Sequence, residues 1–249
     1  MCRKCHSGCN EKSTTKTRRH GKSTSKSSYL CDYVVQLVIQ LPPLYPVIDF
    51  SVFGTTDDPI TALIRFAQEL IKAGATVVQY RDKISSPQEV LSAARELGRV
   101  TRNRAKLIIN DYPDLCLAAE ADGVHLGQDD LSPAAARRIF AAARKDQLWI
   151  GSSTHNLEQA RVADTMPIDY LAVGPVFTTS SKVNPDPVIG LDGVKQARLT
   201  TKKPLVAIGG ITRANCVQVR EAGADSVAVI SDLLECPAKA VEDFLRILE

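Results

Sequence analysis

The chain has 249 residues, 44% hydrophobic and 24% charged, enough apolar material to bury one sizeable core. The formal charge of +3 is unevenly spread. Residues 1–28 hold eight Lys/Arg against Glu11, a local +7 that leaves −4 for the rest, so nucleic acid is not expected as a partner. No apolar run reaches the roughly 18 residues of a membrane span, and the longest, residues 33–44, is broken by Gln36, Gln40 and the Pro42-Pro43 pair.

Residues 1–40 read as a basic N-terminal extension, rich in Ser, Thr, Lys and Arg without a periodic apolar face, and expected to be disordered. They lack the layout of a secretory signal, because the apolar stretch is late and short and no small-residue cleavage site follows. An acid-poor, amphipathic transit peptide and an upstream misread start are the two readings left. Seven cysteines, an odd count without framework spacing, point to a reducing, cytoplasmic setting. Cys2-x2-Cys5-His6 with Cys9 hints at zinc, but the ligands are crowded and no second pair follows, so a structural zinc site is not expected.

From residue 41 to 249 one domain is expected, in which short apolar runs alternate with helical patterns. The first strand spans 44–48 and a helix covers 58–72. Val77-Val78 leads into Gln79-Tyr80-Arg81-Asp82-Lys83, followed by a helix over 87–103 in which Val90, Leu91, Ala94, Leu97 and Val100 recur at helical spacing. Residues 107–109 lead into Asn110-Asp111, then a helix over 113–121 that carries Cys116 as a small buried group. Residues 123–126 lead into Gly127-Gln128-Asp129-Asp130 and a helix over 132–145 that opens on the start signal Ser132-Pro133. Trp149-Ile150 leads into Gly151-Ser152-Ser153-Thr154 and a helix over 156–165. Residues 170–173 lead into Gly174-Pro175 and Thr178-Thr179-Ser180-Ser181-Lys182, before a helix over 191–199. Residues 205–208 lead into Gly209-Gly210 and a helix over 212–222 that holds Cys216, a second buried cysteine; residues 226–230 lead into Ser231-Asp232 and a helix over 238–248.

Strands separated by helices imply parallel pairing with right-handed crossovers. Eight of them, with Ala73-Gly74-Ala75 and Ala222-Gly223-Ala224-Asp225 recurring where helix gives way to strand, close into an α/β (β/α)8 TIM barrel. Seven of the eight strands are followed by polar phrases, which such a barrel gathers at one rim, where it builds its active site.

Asp111 and Asp130 end neighbouring strands, so both carboxylates should face one mouth. Hard oxygen ligands without a His or Cys pair suit Mg2+ shared with substrate phosphate oxygens. The competing reading is helix N-capping, since both precede helices; the basic residues nearby favour the metal. Arg81, Lys83 and Lys182 converge on the same mouth and indicate a polyanion, most simply a diphosphate. Alternate residues of an extended segment point the same way, which sets Gln79, Arg81 and Lys83 on one side. Gly209-Gly210 and Ile230-Ser231 follow the last two strands, where such barrels bind a monophosphate on backbone N–H groups. Thr179, Ser181 and Lys182 lie between the two anion sites. His125 and His155 read as packing or orienting groups rather than bases. Two anions, one of them metal-clamped, fit group transfer with diphosphate as leaving group.

The motifs Gln79-x-Arg81-x-Lys83, Ile109-Asn110-Asp111, Asp122 to Asp130, Gly151-Ser152-Ser153, Gly174-Pro175-Val176-Phe177, Ala207 to Ile211 and Ala228-Val229-Ile230-Ser231 occur in one order. In this the chain resembles the thiamine phosphate synthase family, over about residues 44–248. The resemblance implies a transferase of thiamine biosynthesis that joins a hydroxymethylpyrimidine diphosphate to a thiazole ethyl phosphate, giving thiamine phosphate and diphosphate. It implies Gln79, Arg81, Lys83, Asn110, Ser153 and Lys182 around the pyrimidine diphosphate. It implies that Arg81, Lys83 and Lys182 act in catalysis and that Asp111 and Asp130 hold Mg2+. By the same resemblance, Thr179, Ser180, Ser181, Gly210, Ile230 and Ser231 are expected around the thiazole phosphate. Two departures stand out: Ser181 replaces the family's usual Thr, keeping the hydroxyl, and residues 1–40 have no counterpart. The expected partners are thus two phosphorylated heterocycles, with no membrane and room for a homo-oligomer. The alternatives are a thiazole tautomerase-like barrel that binds only the thiazole phosphate, and a non-catalytic phosphate-ligand sensor with a basic tail.

Overall fold

Each apolar run becomes a strand and each amphipathic stretch the helix that follows it. A computed structural model describes residues 39–54, 56–179 and 186–249. The strands are β1 (Leu44–Asp49), β2 (Val77–Arg81), β3 (Lys106–Asn110), β4 (Gly123–Leu126), β5 (Trp149–Thr154), β6 (Tyr170–Val173), β7 (Leu205–Ile208) and β8 (Ser226–Val229). All eight pair in parallel in chain order and β8 returns to β1, closing the (β/α)8 barrel. The helices are α1 (Pro59–Lys72), α2 (Pro87–Thr101), α3 (Pro113–Ala118), α4 (Pro133–Ala142), α5 (Leu157–Asp164), α6 (Gly190–Thr200), α7 (Cys216–Glu221) and α8 (Pro237–Leu248).

Two apolar layers hold the barrel. The outer one, between sheet and helices, includes Ile48, Leu63, Val78, Leu97, Ile109, Phe140, Leu171 and Phe244. The inner one holds Tyr45, Val47, Val77, Ile108, Tyr170, Ala172, Val206 and Ala228, with Ile39 and Leu41 packed against it ahead of β1. Burial on both faces explains why the strands read as continuous apolar runs rather than alternating ones. Cys116 and Cys216 are buried in the outer layer, and burial pushes the Cys116 thiol up to about 12.

The helix starts are local chemistry. Ser86 and Glu89 form a reciprocal capping box around the Pro87 helix start, and the Asp58, Ser132 and Asn156 side chains each accept from a backbone N–H of the first turn. Several boundaries differ from the sequence-based expectation. β2 and β5 run on through Arg81 and Thr154, because pairing with their neighbours continues past the apolar residues. α7 starts four residues later than expected, at Cys216: the Asn215 side chain accepts from Thr212 N at 2.8 Å and folds residues 212–215 into a turn. α3 stops at Ala118, three residues early, and Glu120 takes a left-handed φ of 54°. Residues 1–38, and with them Cys2, Cys5 and Cys9, lie outside the described residues.

Candidate active site

A cavity of 580 Å3 opens at the C-terminal ends of the strands, a size suited to small-molecule ligands. Its wall includes Gln79, Arg81, Lys83, Asn110, Asp111, Asp130, Ser153, Thr179, Gly210, Ile230 and Ser231. Every one of the expected site residues that is described is therefore at this one mouth. Ser180, Ser181 and Lys182 fall outside the described residues.

Strand alternation arranges the β2 side. Gln79 and Arg81 face the cavity with Lys83 after them, while Tyr80 and Asp82 are buried. Asp82 braces the turn that carries Lys83: its Oδ2 accepts from the Tyr80 hydroxyl at 2.9 Å, and its Oδ1 from the backbone N–H of Ile84 and of Ser85, each at 3.0 Å. Lys83 reaches across to form an ion pair with Asp111, at the end of β3.

Asp111 and Asp130 behave as a pair. Burial, together with the neighbouring Asp130 carboxyl, pushes the Asp111 carboxyl up to about 6, with Lys83 pulling the other way. Asp111 also holds a left-handed φ of 69°, uncommon for a non-glycine residue. Asp130 is anchored by Gly127 N, which donates to its Oδ2 at 2.7 Å. The capping alternative does not hold: the caps of α3 and α4 are Tyr112 and Ser132, and neither aspartate fills them. Two crowded carboxylates, one driven toward protonation, are what a divalent cation would relieve. Among the described residues no three His, Cys, Asp or Glu side chains cluster as a metal cage. A two-carboxylate site is the arrangement Mg2+ uses when waters and substrate phosphates complete its shell.

The floor is a chain of polar groups inside the barrel. The Gln79 amide donates to the Tyr45 hydroxyl at 3.2 Å, which lies 2.7 Å from the Tyr170 hydroxyl. Tyr170 in turn lies 3.1 Å from His125 Nδ1, and His125 Nε2 is 2.8 Å from Ser153 Oγ. Desolvation raises both phenols, Tyr45 to about 12, so they stay protonated and act only as hydrogen-bonding groups. His125 thus links Ser153 to the barrel interior, an orienting position. A Cβ on Gly151 would lie 2.1 Å from the Tyr170 ring, so glycine there makes room for the tyrosine. Opposite, His155 Nδ1 lies 2.8 Å from Gly174 O and 3.4 Å from Asp186 Oδ2.

Over β7 and β8 the wall carries no charged side chain among the described residues, and two glycines open the backbone to the cavity. Gly209 and Gly210 have φ of 102° and 63°, and a Cβ on Gly210 would come within 2.5 Å of Thr178 O. The segment after β6 passes so close that only glycine fits, leaving the chain itself exposed to a ligand. Asn215 fixes the turn by donating to Gly210 O at 3.0 Å. Ile230 and Ser231 complete this side.

Several contributors were not picked out from the sequence: Tyr45 and Tyr170, hidden in apolar strands, and Asp49, the last residue of β1, ion-paired with Arg81. Asp49 carried a usable signal, since a carboxylate closing a barrel strand is the same cue that singled out Asp111.

The thiamine monophosphate synthase family matches residues 50–233. A thiamine-phosphate synthase of Koribacter versatilis is 50% identical over 210 residues, covering 84% of this chain and 97% of that protein. One from Methanosarcina mazei is 34% identical over 244 residues, 96% of this chain and 94% of its own. That span exceeds residues 41–249 alone, so it runs into the first 40 residues and corrects the expectation that they have no counterpart. The solved structure of a thiamine phosphate pyrophosphorylase from Pyrococcus furiosus superposes with a TM-score of 0.71 at 32% identity, over 83% of this chain and 95% of that one. With its closed barrel and this run of matches, the chain belongs to the thiamine monophosphate synthase family.

Proposed function

We propose that the chain condenses 4-amino-2-methyl-5-(diphosphooxymethyl)pyrimidine with thiazole ethyl phosphate, yielding thiamine phosphate and diphosphate. One observation carries the reading beyond family membership: Arg81, Lys83, Asp111 and Asp130 gather on one side of the cavity that has the Gly209-Gly210 backbone on the other. A barrel that binds only the thiazole phosphate has no use for that charged half.

In this reading Asp111 and Asp130 would hold Mg2+, which when bound offsets charge on the diphosphate. Lys83 sits beside Asp111 and Arg81 faces the same space, so both can meet the leaving group's oxygens; Lys182 belongs to this set by its place in the motif. The bond from the pyrimidine methylene to the diphosphate oxygen breaks with its electron pair leaving on oxygen. The thiazole nitrogen then donates its lone pair to that carbon. No side chain has to give or take a proton, consistent with phenols kept neutral by burial. The cations act as preorganised electrostatics aimed where charge develops. Gln79, Asn110 and Ser153 orient the pyrimidine diphosphate. Thr179, Ser180, Ser181, Gly210, Ile230 and Ser231 hold the thiazole phosphate, so that nucleophile and electrophile meet in one enclosed space.

No helix among the described residues is long and apolar enough to cross a membrane, and Cys116, Cys216 and Cys236 are free thiols. These thiols support a cytoplasmic setting. The test is to incubate the purified chain with both phosphorylated heterocycles, with and without Mg2+, and follow thiamine phosphate and diphosphate. Stoichiometric, Mg2+-dependent appearance of both is expected. Isomerisation of the thiazole alone, or binding without turnover, would overturn the reading in favour of a tautomerase-like barrel or a phosphate-ligand sensor.

A further inference from the structure

We infer that Asp49 is a positioning residue for this reaction: it holds the Arg81 guanidinium in the orientation in which that group meets the diphosphate. The inference rests on the function proposed above and extends it to a residue outside the cavity wall. Asp49 and Arg81 close β1 and β2 and stand directly opposite each other in the ladder. Arg81 Nη1 pairs with Asp49 Oδ2. The other carboxylate oxygen is fixed from behind, accepting from Ser51 N at 3.1 Å and Ser51 Oγ at 2.7 Å. Asp49 is only 4% exposed and does not line the cavity, whereas Arg81 does.

A guanidinium carries five N–H donors in a rigid plane. The bond to Asp49 uses Nη1, which leaves the other donors of the guanidinium to meet phosphate oxygens. Because Ser51 and the β1–β2 register hold Asp49 still, Nη1 of Arg81 is tethered before any ligand arrives. Lys83 pairs instead with Asp111, one of the proposed metal ligands, so its partner changes role when the site fills. Asp49 has no such second duty.

Asp49 also caps the 3-10 turn Phe50–Val52 through Ser51, so a purely structural role must be told apart. Asp49→Asn keeps an oxygen for Ser51 and loses the charge that faces Arg81. In the full chain it should lower kcat/KM for the pyrimidine diphosphate about 10- to 100-fold, the scale of a misplaced catalytic group, with the KM for thiazole phosphate within about twofold of its original value. In an Arg81→Ala background the same change should have no further effect, since sites acting through one another are not additive. Binding of inorganic diphosphate with Mg2+, measured by calorimetry across the four proteins of the cycle, should show the same coupling without turnover. Unchanged kinetics in Asp49→Asn, a rise in both KM values together, or an equal loss with and without Arg81 would each overturn the positioning role. If the unaltered chain binds diphosphate but fails to condense the heterocycles, the proposed reaction falls while the binding cycle still decides the Asp49–Arg81 coupling. No diphosphate binding at all by the unaltered chain overturns both.

Discussion

The two halves of the rim are built from different parts of the chain. Over β2 to β4 the wall is made of charged side chains, Arg81, Lys83, Asp111 and Asp130, each braced by a partner: Asp49, the Asp82 turn, Lys83 and Gly127 N respectively. Over β7 and β8 it has no charged side chain among the described residues, and the backbone is opened by two glycines at positive φ in a turn fixed by Asn215. The difference matches the two proposed jobs. A leaving group that gains charge needs full charges placed where that charge appears. A phosphate that serves only as an anchor needs N–H groups at fixed spacing, which the backbone supplies without side-chain entropy.

That contrast can be broken most sharply at Asp111. Asp111→Asn should lower kcat about 100- to 1000-fold in an assay of diphosphate release. Its thermal midpoint should hold or rise, because burial and Asp130 already disfavour the charged form of that carboxyl. A next-smaller effect is expected at Lys83→Ala, a loss of about 10- to 100-fold expressed against the pyrimidine diphosphate; steady-state kinetics with each substrate varied in turn would show whether the thiazole KM stays put.

The backbone half should respond to an added methyl rather than to a lost charge. Gly210→Ala would force a Cβ within 2.5 Å of Thr178 O at a φ of 63°. It should cost about 1–3 kcal/mol in denaturant unfolding and raise the KM for thiazole phosphate, with the KM for the pyrimidine diphosphate little changed. The smallest effect belongs to a residue in neither half. Burial raises the Cys116 thiol from 9.0 to about 12, so its neutral form stabilises the native state fully below pH 9 and less and less as the pH climbs toward 12. Unfolding free energies across that window should fall less steeply for Cys116→Ala, with activity at neutral pH unaffected.

Much of the site could be read before folding because it sits where strand ends meet loops. Gln79, Arg81 and Lys83 alternate along an extended segment, and the alternation alone set them on one side. Asp111 and Asp130 could be placed at the rim, but whether they capped helices could not be decided locally: the caps fell one residue later in one case and two in the other, on Tyr112 and Ser132. Tyr45 and Tyr170 were invisible as polar groups because they stand inside apolar runs. Their hydroxyls meet only once β1 and β6 face each other across the closed barrel.

Local patterning alone therefore determined the number and order of strands, the helices between them, and that the polar residues following the strands reach the mouth. All of these depend on periodicity and on neighbours a few positions apart. Tertiary structure alone decided that Asp111 is driven toward protonation, that Asp49 pairs with Arg81, and that His125 ties Ser153 to the barrel floor. Those facts depend on distances between different strands, which exist only after the sheet has closed in one register and water has been excluded from its interior.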